Sequence, residues 1–269
     1  IVQSGNDASI ALAECLGGTE KDFAKLMNVY AERLGMINTN FTNSSGWPEE
    51  NHYSSVYDIA ILSNAIIRDF PNLYKYFAMK EFTYNDINQP NRNKLLKQVE
   101  GADGLKTGFT KKSGWGIAAT ALRNNRRITV VINGTNSSRA RLNESANLIN
   151  WAFNQTSQKI LIEEDQLIKT IDVWLGSETK VNLISSKKIL STLSFDQIQL
   201  MKSTIEYTKP LSAPILKDKE YAKLYIDIQG KNRIEVPLVA EKNISKVNPF
   251  YKIIAAVKYL LFGSSLDES

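Results

Sequence analysis

The chain has 269 residues, 43% of them hydrophobic and 23% charged, an ordinary globular composition with enough length for two domains rather than one core. Its 33 basic and 28 acidic residues give a net charge of +5, but they are interspersed, so no nucleic-acid partner is expected. One histidine, His52, rules out a zinc site built from several histidines, and one cysteine, Cys15, rules out an internal disulfide.

Residues 7–79 read as largely helical. Cys15 follows Ala11-Leu12-Ala13 on an apolar helical pattern and is expected to be a buried, inert thiol. Thr19 is the expected N-cap of a helix carrying Phe23, Leu26, Met27, Tyr30 and Leu34 at 3- and 4-residue spacing, and Gly35 stops it. Turn chemistry follows in Asn43-Ser44-Ser45-Gly46-Trp47-Pro48, then a second helix from about Ser55 that ends before Pro71. After Met79 the pattern turns to strands, Glu81–Tyr84, Gly116–Leu122 and Ile128–Ile132, the last two joined by an Asn-rich hairpin turn at Arg123-Asn124-Asn125-Arg126. A closing helix runs from about Ser138 to Phe153. Helices, a meander and a closing helix predict an α+β layered domain over residues 1–157. From 158 to 247 the alternation in Ile171–Leu175, Thr204–Tyr207 and Lys223–Ile228 predicts a small all-β domain. Residues 248–263 predict an amphipathic helix, with Phe250, Ile253, Ile254, Val257, Leu260 and Leu261 on one side. Its fourteen core residues, Pro249–Phe262, would rise about 21 Å, too short to cross a bilayer but suited to lying in its interface.

Two triplets carry chemistry. Ser4-Gly5-Asn6 stands before the first helix, and Lys106-Thr107-Gly108 is expected to open a strand about a hundred residues on. In that order they match two of the three motifs of penicillin-recognising serine enzymes. Acyl transfer needs a nucleophile, a base, a proton route to the leaving amine and donors for an oxyanion. Ser4 offers a hydroxyl that can pass a proton. Asn6 offers an amide that can hold substrate and a catalytic lysine. Lys106 brings positive charge that keeps a neighbouring lysine neutral and attracts an anionic substrate. Thr107 can bond a carboxylate, Gly108 admits a peptide close to the strand, and the Phe109 backbone N–H can serve the oxyanion.

With these motifs the chain resembles the low-molecular-weight penicillin-binding proteins, the serine-type D-alanyl-D-alanine carboxypeptidases. The likeness extends to Leu34-Gly35-Met36, Tyr53-Ser54-Ser55, Gln89-Pro90-Asn91-Arg92-Asn93, Asp103-Gly104-Leu105, Arg141 with Glu144-Ser145, Val173-Trp174-Leu175-Gly176 and Val236-Pro237-Leu238. It implies a penicillin-binding or β-lactamase-like transpeptidase domain, then the small all-β domain and a C-terminal membrane anchor. It implies removal of the terminal D-alanine from peptidoglycan stem peptides through an acyl-enzyme, inhibition by β-lactam antibiotics, and no cofactor. Arg141 would help bind the substrate carboxylate, and the protein would sit on the periplasmic face of the inner membrane through residues 249–262.

Two features depart from the family pattern. The family's S-x-x-K nucleophile motif precedes S-x-N, whereas here S-x-N begins at residue 4. The chain is therefore expected to lack the nucleophile segment, to leave part of its first core exposed and to be inactive alone. Ser177 with Lys180 and Ser185 with Lys188 fit the bare S-x-x-K pattern, but they lie amid strand signals where i and i+3 face opposite sides. Phe109 also stands where many relatives have histidine, from which altered substrate or pH preference is expected. The alternatives are a β-lactamase, against which the second domain argues, and a non-catalytic module that binds peptidoglycan or scaffolds other wall enzymes.

Overall fold

Helix α1 (Asn6–Gly17) is followed by α2 (Glu20–Arg33), whose N-terminus is capped by Thr19 Oγ1 accepting the Asp22 N–H at 3.0 Å. Gly35, at φ +77°, ends that turn of chain in the left-handed region. The computed structural model describes residues 1–247 and Val257, and it divides into two units, Ile1–Asn154 and Gln155–Ser269. Helix α3 (Val56–Asp69) begins at Ser55, whose Oγ accepts the Asp58 N–H at 3.0 Å, and the short α4 (Pro71–Tyr74) starts on its proline. The expected turn before α3 is built by Asn43, whose Oδ1 accepts from the Gly46 and Trp47 N–H groups at 2.8 and 3.1 Å.

Helix α1 corrects one expectation. Cys15 is exposed, not buried, and so are Leu12 at 63% and Leu16 at 70%. Only Ala13 of this helix is fully buried. The apolar helical pattern is real, but most of the helix surface meets no packing partner among the described residues.

Strands β1 (Glu81–Tyr84) and β2 (Ile87–Pro90) form an antiparallel hairpin turned by Asn85 and Asp86, both at positive φ. β2 escaped the sequence reading because Asn88, Gln89 and Pro90 are poor strand formers. After the one-turn α5 (Leu95–Gln98) comes the central sheet, β3 (Ala102–Thr110), β4 (Gly114–Arg123) and β5 (Arg126–Thr135), antiparallel in that order. Asn124 and Asn125, at φ +46° and +62°, make the tight β4–β5 turn that the sequence predicted. Lys106-Thr107-Gly108 lie in the middle of β3 and do not open it. The strand starts earlier because Ala102, Asp103 and Gly104 join β4 through a register shift despite weak strand propensity.

Helix α6 (Ser138–Gln155) covers one face of this sheet, where Ile149 packs with Ile117, Ala119 and Ala121. On the other face Tyr74, Leu105 and Ala118 pack with Ile59, Ile66 and Ile67 of α3. A polar network pins β3 there. The Asp103 carboxylate accepts two 2.7 Å bonds from Arg127 and 2.8 Å bonds from Tyr74 and Thr120.

Among residues 156–247 the regular structure of the second unit is strands apart from one short helix. β6 (Thr156–Ile162) pairs with β9 (Ile189–Ser194). The six-stranded sheet consists of β7 (Leu167–Trp174), β8 (Lys180–Ser185), β10 (Lys202–Tyr207), β11 (Leu211–Ser212), β12 (Glu220–Asp227) and β13 (Ile234–Ala240), in the order β10-β12-β13-β8-β7-β11. Helix α7 (Phe195–Leu200) is closed by a Ser194–Gln197 capping box. Leu183, Leu193, Val236 and Leu238 sit at the centre of one continuous apolar core. The amphipathic segment 249–262 lies outside the described residues but for Val257. Among the described residues no helix is long and apolar enough to cross a membrane.

Candidate active site

The two triplets meet. Lys106 Nζ donates to Ser4 Oγ at 2.6 Å across 102 positions of sequence, and to the Thr107 carbonyl at 2.6 Å. Ser4 reaches it from a left-handed backbone, φ +59°, which a serine adopts only at a cost, and its N–H is held by the Ile1 carbonyl at 3.2 Å. Gly5 then forms the N-cap of α1 and Asn6 its first residue. Asn6 is exposed, and no hydrogen bond joins its side chain to Ser4 or Lys106 among the described residues.

Burial lowers the Lys106 amine to a pKa of about 8 from its ordinary 10.5, and the positive charges of Arg92 and Arg141 push in the same direction. Thr107 is buried. Gly108 is exposed, pairs with Gly116 across β3–β4, and a Cβ on it would meet nothing within 4 Å. Neither a strained φ nor the protein's own packing requires glycine there, so the open space belongs to whatever approaches the strand. Phe109 is 52% exposed and stacks on Trp115, ring centroids 4.3 Å apart.

Arg141 is buried to 6% exposure near the start of α6. Its Nη1 donates to the carbonyls of Gly108 and Gly116 at 3.3 and 3.4 Å, its Nη2 donates to Ser138 Oγ at 3.3 Å, and its guanidinium lies 5.3 Å over the Trp115 ring. Burial lowers its pKa. A buried guanidinium whose neutral partners do not compensate its charge is suited to receive an anion.

Arg92 was not singled out as a functional residue by the sequence. It lines a small recess with Lys94, Thr107, Ser138 and Arg141. Asn93, 2% exposed, fixes this segment by donating to the Gly104 carbonyl at 3.1 Å and accepting the Leu95 N–H at 3.2 Å. The available signal was the arginine set between two asparagines, Asn91 and Asn93, which the resemblance marked without giving Arg92 a role.

Both stray S-x-x-K matches fall in the second unit, and neither pair lies on a helix. Ser185 is fully buried in the second unit and donates to the Lys187 carbonyl at 2.7 Å, while Lys188 pairs with Glu163 at 2.9 Å. Ser177 lies in the β7–β8 connection of that unit, its N–H held by the Ser245 carbonyl at 2.8 Å. His52 is in the first unit, with its Nδ1 accepting the Thr42 N–H at 3.0 Å; burial lowers its pKa, against which Glu49 acts.

Residues 1–136 match the family described as D-alanyl-D-alanine carboxypeptidase, and residues 157–246 match the C-terminal domain of penicillin-binding protein 5. The chain is 35% identical over 255 residues to the D-alanyl-D-alanine carboxypeptidase DacC of Escherichia coli, covering 94% of this chain but 64% of that protein. It thus spans less than two thirds of that relative's length. Penicillin-binding protein 5 of Haemophilus influenzae superimposes with a TM-score of 0.70 at 34% identity, over 90% of this chain and 72% of that one. Penicillin-binding protein D2 of Listeria monocytogenes in its cefotaxime-bound form superimposes with a TM-score of 0.54 at 30% identity, over 57% of this chain and 63% of that one.

Proposed function

The chain belongs to the D-alanyl-D-alanine carboxypeptidase family, and from that premise we propose that its first unit is the wall of an acyl-transfer site for peptidoglycan stem peptides ending in D-alanyl-D-alanine. The single observation that carries the reading is the 2.6 Å contact between Lys106 and Ser4, made beside a buried Arg141.

In this reading Arg141, Thr107 and Lys106 receive the terminal carboxylate. The peptide lies along the open Gly108, and the scissile carbonyl oxygen faces the Phe109 N–H. A serine hydroxyl attacks that carbonyl. The C–N bond to the last D-alanine breaks, and the proton taken from the serine reaches the leaving amine through Ser4, whose hydroxyl Lys106 orients. Water then hydrolyses the ester and regenerates the serine. Asn6, exposed at the start of α1, holds the substrate amide once substrate is bound. The same serine would be acylated by β-lactams, which the cefotaxime-bound Listeria neighbour supports.

Among the described residues none supplies that serine with a lysine one helical turn on. The nucleophile is to be sought in the part of the relatives that this chain does not span. The 269-residue chain alone is then expected to give no covalent adduct with a labelled penicillin, whereas the chain joined to the relatives' S-x-x-K segment gives one. Labelling of the 269 residues that excess unlabelled penicillin blocks would overturn the missing-nucleophile part of the proposal. A second reading, non-catalytic binding of stem peptides, is favoured by that same lack and wins if the joined chain binds peptide but stays unlabelled.

The segment 249–262 is proposed to hold the protein at the periplasmic face of the inner membrane. Removing residues 249–269 should abolish sedimentation with anionic vesicles, and unchanged sedimentation would count against it.

A further inference from the structure

Beside the proposed carboxylate site lies a feature that the reaction does not use. Phe109 and Trp115 are directly paired across β3 and β4, and their rings stack at 4.3 Å with 33° between planes. Phe109 keeps about half its surface in solvent beside the strand residues of the proposed site. The pair is tied to the anion site from behind. Arg141 sits 5.3 Å over the Trp115 ring and bonds to the carbonyls of Gly108 and Gly116, the residues next to the two aromatics. Thr107 and Phe109, two apart on β3, line up on the face that Trp115 and Ile117 present on β4, so the recess lined by Thr107 and Arg141 and the aromatic rings share one face of the strand pair.

We infer that the Phe109–Trp115 pair is a specificity shelf that takes an apolar side chain within one residue of the substrate's free carboxylate. The inference rests on the proposed carboxylate site and deepens it by naming the side-chain class. The chemistry that fits is a short peptide with a C-terminal carboxylate and an aliphatic or aromatic group at or next to its last residue. The carboxylate goes to Arg141 and Thr107, and the apolar group covers the exposed Phe109 ring. An exposed aromatic face adds affinity in proportion to the apolar area it covers, whereas a hydroxyl-bearing side chain would lose hydration there without a hydrogen-bond partner. Trp115 keeps the shelf rigid, and the arginine above it couples shelf and anion pocket.

Binding to the whole 269-residue chain can be read without turnover, by calorimetry or amide chemical shifts. The probes are N-acetyl-D-Ala-D-Leu, N-acetyl-D-Ala-D-Ser and the C-terminal amide of the D-Leu peptide. The D-Leu acid should bind about five-fold more tightly than the D-Ser acid, the ratio expected when some 40 Å² of apolar surface leaves water. In Phe109→Ser that ratio should fall to about one, and Phe109→His should lie between. Because Phe109 is half exposed, neither substitution opens a core cavity. Equal affinity of the two acids in the unsubstituted chain overturns the shelf while leaving the carboxylate site standing. Binding of the D-Leu amide as tight as its acid overturns the carboxylate site and the shelf with it.

Discussion

The two units of this chain solve the problem of burying a core in different ways. In the second, strands from β6 to β13 enclose one continuous cluster whose centre, Leu183, Val236 and Leu238, is wholly out of water. In the first, a three-stranded sheet splits the core into two smaller clusters, under α6 and under α3. There Leu12, Leu16 and Ile37 stay exposed, and polar groups take structural roles: Asp103 with Arg127 and Tyr74 on one face, Arg141 on the other. The difference teaches that the first unit adds buried polar and charged groups, among them Asp58, Asn93 and Arg141, to its smaller apolar clusters. The β unit gathers its apolar residues into one larger core and keeps ion pairs such as Lys188–Glu163 at its surface.

That contrast can be broken most forcefully in the β unit. Leu238→Ala should cost about 2–5 kcal/mol of that unit's stability in a denaturant melt, since a fully buried leucine leaves a cavity. A loss below 1 kcal/mol would mean its core is looser than described. In the first unit Asp103→Ala should cost about 2 kcal/mol, because it strips Arg127, Tyr74 and Thr120 of their common acceptor in a partly buried setting. The smallest effect belongs to α1. Leu16→Ala should change stability by less than about 0.5 kcal/mol, as befits a side chain 70% exposed. A loss of 2 kcal/mol there would show that something covers α1 in solution.

Much of this was legible in the sequence, for identifiable reasons. Helix α2 announced itself through Thr19, its 3- and 4-residue apolar spacing and Gly35, and the β4–β5 hairpin through Asn124-Asn125, because these are local rules that tertiary context did not override. The pairing of Ser4 with Lys106 was legible only as two triplets in the right order; their 2.6 Å contact is a product of the fold. Cys15 was misread because periodicity reports that a helix has an apolar side but not whether a neighbour covers it. Arg92 was passed over because its role comes from the position of Asn93, which a buried side-chain bond to the Gly104 carbonyl fixes. Trp115 gave no signal at all, since its meaning depends on facing Phe109 across two strands.

We propose that the half-buried Lys106, with Arg92 and Arg141 near it, forms a positively charged site that receives a carboxylate. The most direct test is to titrate the Lys106 side-chain amine by NMR with and without an N-acyl D-alanyl-D-alanine dipeptide. In the free chain it should titrate near 8, below the ordinary 10.5, because burial and the charges of Arg92 and Arg141 disfavour the ammonium. Bound carboxylate favours the ammonium, so the peptide should raise that pKa, and by linkage its affinity should weaken as pH rises through 8. An amine that titrates near 10.5 and ignores the peptide would contradict the account.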